Sequence, residues 1–561
     1  MDADHESRGE VSSATLRCAL LVTAAAGLLA LAAGPALAAD GMPVLPLDWS
    51  GTSRSQTSPD VSSSGRTAVA TWEETPWTPP EQPAFTDSTR VVAFNLDQRI
   101  VWSLHPGAYP AIPGEQVQPT VLVCGPQKVL IVYTQADRTQ PGQLDEDLWI
   151  WQGDSHGNPA AGFPRLLVQG PGSSPTLQYA PSLGRVSESG HGKHIVLAWQ
   201  DTRDNGPSAP QIYLLDLSRD SDGDGTPDYR EHGFDTKTAG VRVSASAASQ
   251  LHPAVGSSGV WWDDWRSTAT SRRSGRGAGD ESVWRCMPHG MITLDCRQVW
   301  TQSEPTPPGH AYISSLRPTT IGGAWLARGS WAGSGWEPLA AFIDRPAHLV
   351  TWLRSPGEMD TSGDRYVLTD GNGESTDADP DVLYFDQTTR QAVPVCDVSR
   401  ELDAPSDLER HPAICGAAGG ARIVWQDARL SSDFDPQQPA TRLFQALVPN
   451  VTIDGMVDAS GVMRFYTHVT PNERGRSVML ETGKKKILYG SVPWYHDFTI
   501  LQKRTLSAGS TASFRWTPSR PGTYFMHVRF IGEPGYADGA THLWEVPHVG
   551  NVSEVIKVVV H

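Results

Sequence analysis

Apolar and polar positions follow one recurring order between about residues 55 and 447. A Pro is followed by a short gap, then by an apolar run that closes on an aromatic residue, then by an acidic or amide turn, often with Arg. The copies are Pro59 with Trp72-Glu73-Glu74, Pro119 with Tyr133-Thr134-Gln135, Pro181 with Trp199-Gln200-Asp201-Thr202-Arg203, Pro253 with Trp262-Asp263-Asp264-Trp265-Arg266, Pro338 with Trp352-Leu353-Arg354, and Pro412 with Trp425-Gln426-Asp427-Ala428-Arg429. The aromatic anchors lie 61, 66, 63, 90 and 73 residues apart. The long interval predicts an insertion of about 25 residues, placed within 300–335, where Gly, Ser and Pro crowd. A second alternating segment follows each anchor, at 147–151, 211–217, 281–285, 381–386 and 442–447. Two visible strands in a unit of 60–70 residues leave room for four. Four-stranded antiparallel units repeated about six times predict a β-propeller, in which each blade buries its faces against its neighbours.

After Val448-Pro449-Asn450 the repeat stops. Short alternating runs at 461–469, 476–481, 485–490, 497–503, 511–516, 522–531 and 554–560 predict a seven-stranded β-sandwich. The expected organisation is therefore all-β: a leader over 1–38, a β-propeller of about six blades over 45–448, and an immunoglobulin-like β-sandwich over 451–561. Lys484-Lys485-Lys486 reads as a solvated hairpin tip.

The repeat resembles the TolB-like, WD40-like propeller repeats of bacterial exported and surface proteins. The segments that carry the resemblance are Ile423-Val424-Trp425-Gln426-Asp427-Ala428-Arg429 and Val196-Leu197-Ala198-Trp199-Gln200-Asp201-Thr202-Arg203 with Gln211–Leu217. It implies a propeller, and no single activity, because such rings serve as binding platforms, scaffolds and parts of enzymes. The segment from Trp516 through Pro521-Gly522-Thr523 to Tyr524 resembles the turn that enters a late strand of immunoglobulin-like and fibronectin-like domains, where a Tyr hydroxyl bonds backbone at the corner. In the Trp-x-Asp-x-Arg turn, Asp is expected to accept backbone amides and Arg to pair with it or with the next blade, a structural role shared by the blades, with a ring of ligand-binding residues as the alternative. His252-Pro253-Ala254 and His411-Pro412-Ala413 share one repeat position near the inner strands, and either pack there or face a ligand in the channel.

Composition narrows the class. Gly (53) and Pro (44) are too frequent for a helical bundle, and Trp (20) outnumbers Phe (13) and Tyr (13), as half-buried strands favour. A formal charge of −17 opposes a nucleic-acid partner, since phosphate binding needs a basic surface. Residues 19–39 form an apolar stretch, and Ala36-Leu37-Ala38 has the small-x-small form of a cleavage site. We read a secretory leader, with an uncleaved anchor helix as the other possibility. The expected destination is the extracellular space, the periplasm or the cell surface, with no integral membrane segment after cleavage. In an oxidising compartment Cys286/Cys296 and Cys396/Cys415 can close local loops, leaving Cys124 single. Buried free thiols are the alternative.

Residues 220–231 carry chemistry. Counted from Asp220, oxygen donors fall at positions 1 (Asp220), 3 (Asp222), 5 (Asp224), 7 (the Thr226 carbonyl), 9 (Asp228) and 12 (Glu231), with Gly225 at position 6. Ca²⁺ is a hard cation that takes six to eight oxygens, and this spacing wraps carboxylates about one centre. Pro227 and the non-helical flanks depart from a sensor EF-hand, and the run resembles the thrombospondin type 3 calcium repeat. The resemblance implies a structural Ca²⁺, and a solvated acidic turn without metal is the alternative. A weaker acidic run spans 370–381. No HExxH, P-loop or GxGxxG pattern is present. The expected function is non-catalytic binding of a protein or glycan at the cell envelope, or scaffolding there. The alternative is a propeller polysaccharide lyase or glycosidase working at the central funnel.

Overall fold

The computed structural model describes residues 54–560 apart from connecting segments, of which the longest are 77–88, 105–114, 138–144, 265–281, 302–311, 371–380, 397–409, 428–441 and 533–549. Between 287 and 411 it describes the strands and few side chains. The leader and most of the weaker acidic run lie outside the described residues.

The chain is all-β and forms a β-propeller of seven sheets. Blade 1 holds β1 (Arg54–Ser64), β2 (Thr67–Pro76), β3 (Arg90–Asn95) and β4 (Ile100–Ser103). Blade 2 holds β5 (Glu115–Gly125), β6 (Lys128–Asp137), β7 (Asp145–Gly153) and β8 (Arg165–Gln169). Blade 3 holds β9 (Gln178–Glu188), β10 (Gly192–Asp201), β11 (Gln211–Asp216) and, after β12 (Phe234–Asp235) has joined blade 2, β13 (Val241–Arg242). Blade 4 holds β14 (Gln250–Gly256), β15 (Gly259–Asp264), β16 (Ser282–His289) and β17 (Thr293–Thr301). Blade 5 holds β18 (Tyr312–Pro318), β19 (Ala324–Trp331), β20 (Trp336–Arg345) and β21 (His348–Arg354). Blade 6 holds β22 (Pro356–Ser362), β23 (Arg365–Asp370), β24 (Asp381–Asp386) and β25 (Gln391–Cys396). Blade 7 holds β26 (Arg410–Ala417), β27 (Gly420–Asp427) and the first half of β28 (Arg442–Val457). The first strands lie side by side in blade order, and β26 returns to β1, which closes the ring.

Seven blades replace the expected six. The region expected to be an insertion within 300–335 supplies strands of blade 5. Trp352 lies on β21, the outermost strand of that blade, rather than on a second strand. The segment 381–386 belongs to a blade of its own.

The recurring aromatic residue fills the seam to the preceding blade. Trp72 packs with Ala413, Cys415 and Leu443 of blade 7, and Tyr133 with Val69, Val91 and Ala93 of blade 1. Trp199 packs with Leu130 and Ile150 of blade 2, Trp262 with Val196 and Leu214 of blade 3, and Trp425 with Val367 and Tyr384 of blade 6. The core is thus a set of inter-blade layers, which is why the anchor must recur once per unit. Cys286 is disulfide-bonded, and Cys296 stands directly across the ladder from it. The expected Cys396/Cys415 bridge is absent. Cys415 is a buried free thiol at the seam between blades 7 and 1, and burial pushes it up to about 12.

β28 leaves the ring without a linker. Its first half pairs with β27, and residues 450–457 pair with β29 (Met463–Thr470). Two sheets follow, one of β28, β29 and β32 (Thr511–Trp516), the other of β30 (Ser477–Leu488), β31 (Val492–Thr505), β33 (Gly522–Phe530), β34 (Asn551–Val552) and β35 (Ile556–Val560). They face each other across Ile453, Phe465, Phe514, Leu480, Val528 and Phe530, a two-sheet sandwich. The junction is tight. A Cβ on Gly419 would meet Thr470 at 2.3 Å, the Asn450 amide donates to the Gly419 carbonyl at 2.8 Å, and Asn551 Nδ2 donates to the Pro449 carbonyl at 2.7 Å. Tyr524 Oη donates to the Arg520 carbonyl at 2.7 Å, the corner bond expected of that turn. Lys484-Lys485-Lys486 lie within β30, not at a hairpin tip, and Lys484 reaches Asp497 of β31. On the outer side of β30 and β33, His527 Nε2 lies 2.7 Å from buried Glu481, which also pairs with Arg529, and Phe498 stacks on the imidazole at 3.8 Å.

Candidate functional site

The acidic loop leaves the end of β11. The Asp228 amide bonds the Arg219 carbonyl at 2.8 Å and closes it at the base. Gly223 and Gly225 sit at φ 78° and 89°, a region that side chains rarely adopt. These turns bring the carboxylate oxygens of Asp220, Asp222 and Asp224 within 4.8 Å of one another. Asp220 accepts the amides of Gly223 and Gly225, each at 2.7 Å, and the Gly225 bond is the main cause holding its carboxyl below the ordinary value. Glu231 is pushed the other way, by lost solvation first and then by the charges of Asp224 and Asp222. Asp228 is turned from the cluster: its Oδ1 accepts the Ser221 amide at 2.8 Å and the Ser221 hydroxyl at 3.1 Å. The Thr226 amide donates to Asp224 at 2.6 Å. The donors are oxygens alone and carry like charge, a set suited to a hard divalent cation.

The loop also positions a clasp. After the single helical turn Asp228–Glu231, buried Tyr229 donates to Gln152 of blade 2 at 2.5 Å, and its carbonyl accepts Arg165 at 3.1 Å. β12 then pairs in parallel with β8. The connection of blade 3 is thereby fastened to blade 2.

The first strands line the axis of the ring. All seven carry a register shift on the ladder to their second strand. In blades 1–4 the shifted residue is left-handed and precedes Pro: Ser58, Gln118, Ala180 and His252 at φ 48–52°. Pro has no amide to lose at such a bulge. Two residues upstream of each stands a buried Gln: Gln56, Gln116, Gln178 and Gln250. Gln116 accepts the Val91 amide of blade 1 at 3.0 Å, Gln250 the Ile212 amide of blade 3 at 3.2 Å, and Gln56 the Leu443 amide of blade 7 at 3.0 Å. Gln178 departs, and its amide group bonds Thr176. This Gln-x-x-Pro signature stands in the sequence as QTSP, QVQP, QYAP and QLHP, a signal separate from the aromatic anchors. One residue beyond Pro, Asp60, Thr120 and Ser182 accept backbone amides of the next blade, from Val121, Leu183 and Val255. Asp360 does the same for Ile414 of blade 7.

The Trp-x-Asp turn is likewise internal. Trp199 Nε1 donates to Asp201 at 2.9 Å, Asp201 accepts the Arg203 amide at 2.9 Å and pairs with its guanidinium, and that guanidinium lies 4.0 Å over the Tyr213 ring. Buried Asp264 accepts Gln250 Nε2 at 2.8 Å. His252 differs from its counterparts. Its side chain is 39% exposed, and Nδ1 lies 3.1 Å from fully buried Asp263. The side chain of His411 lies outside the described residues.

Second strands run opposite to first strands, so β15 ends, at Asp263 and Asp264, on the face where β14 begins. β11 and β28 run parallel to the first strands and leave by the opposite face. The acidic loop and the sandwich therefore share one face of the ring, and His252 stands at the other.

No family profile and no curated protein matches the sequence. Solved structures resemble the chain at low similarity. A polysaccharide lyase, Uly1, is 9% identical over 69% of this chain and 88% of its own, with a TM-score of 0.37. A sialidase from Trypanosoma rangeli is 9% identical over 92% of each chain, with a TM-score of 0.33. A GH43_1 enzyme from Xanthomonas citri is 12% identical over 78% of this chain and 96% of its own, with a TM-score of 0.28.

Proposed function

We propose that this is an exported propeller that engages and turns over a glycan at the channel mouth opposite the sandwich, with a structural Ca²⁺ stiffening the connection between blades 2 and 3. The single observation that carries the enzyme reading is His252 backed by buried Asp263. A buried carboxylate beside Nδ1 orients the imidazole for proton transfer, the requirement of lyase or hydrolase chemistry. Ser58 and Gln118 hold the same repeat position in blades 1 and 2, and there the Ser58 hydroxyl and the Gln118 amide nitrogen suit sugar hydroxyls, while Gln118 Oε1 accepts the Ala180 amide at 2.6 Å. The framework of Gln and Pro repeats from blade to blade, but the left-handed residue between them does not. Positions that differ among otherwise equal units suit an asymmetric ligand.

A second reading, glycan or protein binding without turnover, is favoured by the ladder of Asp60, Thr120, Ser182 and Asp360. These inner-strand oxygens already serve neighbouring blades. A screen of acidic and neutral polysaccharides for new reducing ends or unsaturated products separates the two. Turnover that His252→Ala abolishes and Ser58→Ala only weakens supports the first reading. Binding without products supports the second, and neither binding nor products refutes both. Export is supported by the apolar leader and by bridged Cys286. Among the described residues no helix is long and apolar enough to cross a membrane.

A further inference from the structure

In each second strand the side chains alternate between the two neighbouring blades. The aromatic anchors pack on the preceding blade, so the residue after each anchor faces the following one. Glu73, after Trp72, accepts the amide of Gln118 in blade 2 at 2.7 Å. Thr134, after Tyr133, donates its hydroxyl to the Gln178 carbonyl of blade 3 at 3.3 Å. Gln200, after Trp199, holds this position in blade 3 and faces β14 of blade 4. It is only 3% exposed, yet its Oε1 has no hydrogen-bond partner among the described residues. Gln426 of blade 7 shares the position and the unpaired oxygen, but it faces blade 1, across the ring from His252.

The Glu73 bond shows what lies opposite this position: the left-handed residue of the next blade. Opposite Gln200 that residue is His252. The cover over the seam differs as well. In blade 2 the left-handed residue is Gln118, whose Oε1 accepts the Ala180 amide at 2.6 Å and so spans the seam to blade 3. In blade 3 the left-handed residue is Ala180, too short to span the seam to blade 4. Ala180 follows Tyr179, the cross-strand partner of Gln200. A buried acceptor, a side chain cut back to a methyl group and His252 thus share one seam.

The chemistry names the guest. A buried amide oxygen without a donor is costly, and a donor that reaches it is held firmly. A sugar hydroxyl both donates and accepts, so it satisfies the amide. An ionised carboxylate only accepts and leaves Oε1 unpaired. The seam suits a neutral sugar whose hydroxyl enters where the Gln118 side chain extends one blade earlier.

We infer that Gln200, beside Ala180, is a sugar-hydroxyl subsite next to His252 and selects a neutral sugar there. This rests on the glycan reading of the channel mouth and names its substrate class. The test titrates the full chain with dextran, xylan, mannan and polygalacturonate. At least one neutral polymer should bind, and more tightly than polygalacturonate. Gln200→Met keeps the volume and removes the acceptor. It should lower that affinity about tenfold, as loss of one buried hydrogen bond predicts, with the unfolding midpoint no lower than the parent's. Ala180→Gln restores the residue that blade 2 carries at φ 52° and should weaken binding as much, by filling the seam. Gln426→Met should leave the affinity unchanged. The inference falls if Gln200→Met binds as tightly as the parent, if Gln426→Met loses as much, or if polygalacturonate binds most tightly. It falls equally if Gln200→Met lowers the unfolding midpoint, which would make the residue a fastener of the seam. Turnover that persists with Gln200→Met at parent affinity sinks the subsite and leaves the channel reading standing. Binding that Gln200→Met weakens, without products from any polymer, sinks turnover and leaves the subsite. A parent chain that binds none of the four overturns both.

Discussion

The ring and the sandwich handle polar side chains in opposite ways. In the ring, Gln56, Gln116 and Gln250, the ladder from Asp60 to Asp360, and Asp201 and Asp264 all turn inward to neighbouring backbone or side chains. In the sandwich, the outer face of β28, β29 and β32 leaves Tyr466, His468 and Arg515 to water, and one buried cluster, Glu481 with His527 and Arg529, stands apart. A repeated unit must solve the same seam at every blade, so its polar residues become fasteners. A domain that occurs once is free to keep them for something outside itself.

Calcium should sharpen this contrast most. At a hundred times its dissociation constant a cation binding only the folded loop adds about 2.7 kcal/mol. Hydrogen exchange of the chelator-treated protein should slow on Ca²⁺ addition in blades 2 and 3 and stay unchanged in β29–β33. Asp220→Ala should erase the effect, and no change in blades 2 and 3 would refute the cation. The fasteners come next. Gln56→Ala leaves the Leu443 amide without its acceptor and should cost about 1–3 kcal/mol by denaturant unfolding. Gln178→Ala, which removes no bond to the previous blade, should cost less. Equal losses would break the argument that the signature serves the seams.

Acidification should act on the sandwich, with a smaller effect. Burial first, against the opposing bond to Glu481, holds His527 below its ordinary value. Glu481 also lies below its own, because its bonds with His527 and Arg529 outweigh burial. For both groups the unfolded chain binds more protons than the folded one, so stability rises with pH. The His527 contribution is present above about pH 6.5 and declines as the pH falls through that value. That of Glu481 is present above about pH 4.5 and declines below it. The sandwich should therefore lose protection between pH 7 and 4, and His527→Gln should flatten the upper part of that profile. A flat profile in the parent protein would contradict the assignment.

The sequence pattern exposed five of the seven blades because their second strands end on Trp or Tyr before an acidic or amide turn. After Trp331, β19 has no acidic or amide turn, and β23 carries Leu368 where the others carry Trp or Tyr, so blades 5 and 6 read as the single copy anchored on Trp352. The trio Asp220, Asp222 and Asp224 was legible because its geometry is local, set by two glycines within the same run. Spacing alone offers Asp228 to the cation, whereas in the fold the amide and hydroxyl of Ser221 bond its Oδ1. The outer face around Tyr466 was hidden. β32 joins β29 from some fifty residues downstream, and only that register sets Arg515 beside Arg464.

β28 gives the molecule a mechanical character. The strand that starts the sandwich is also the strand whose Leu443 amide is gripped by Gln56, across the joint where the circle shuts. Tension applied to the sandwich would travel along one unbroken backbone into that joint. The propeller would feel every pull where its first and last blades meet, with no slack between anchor and ring.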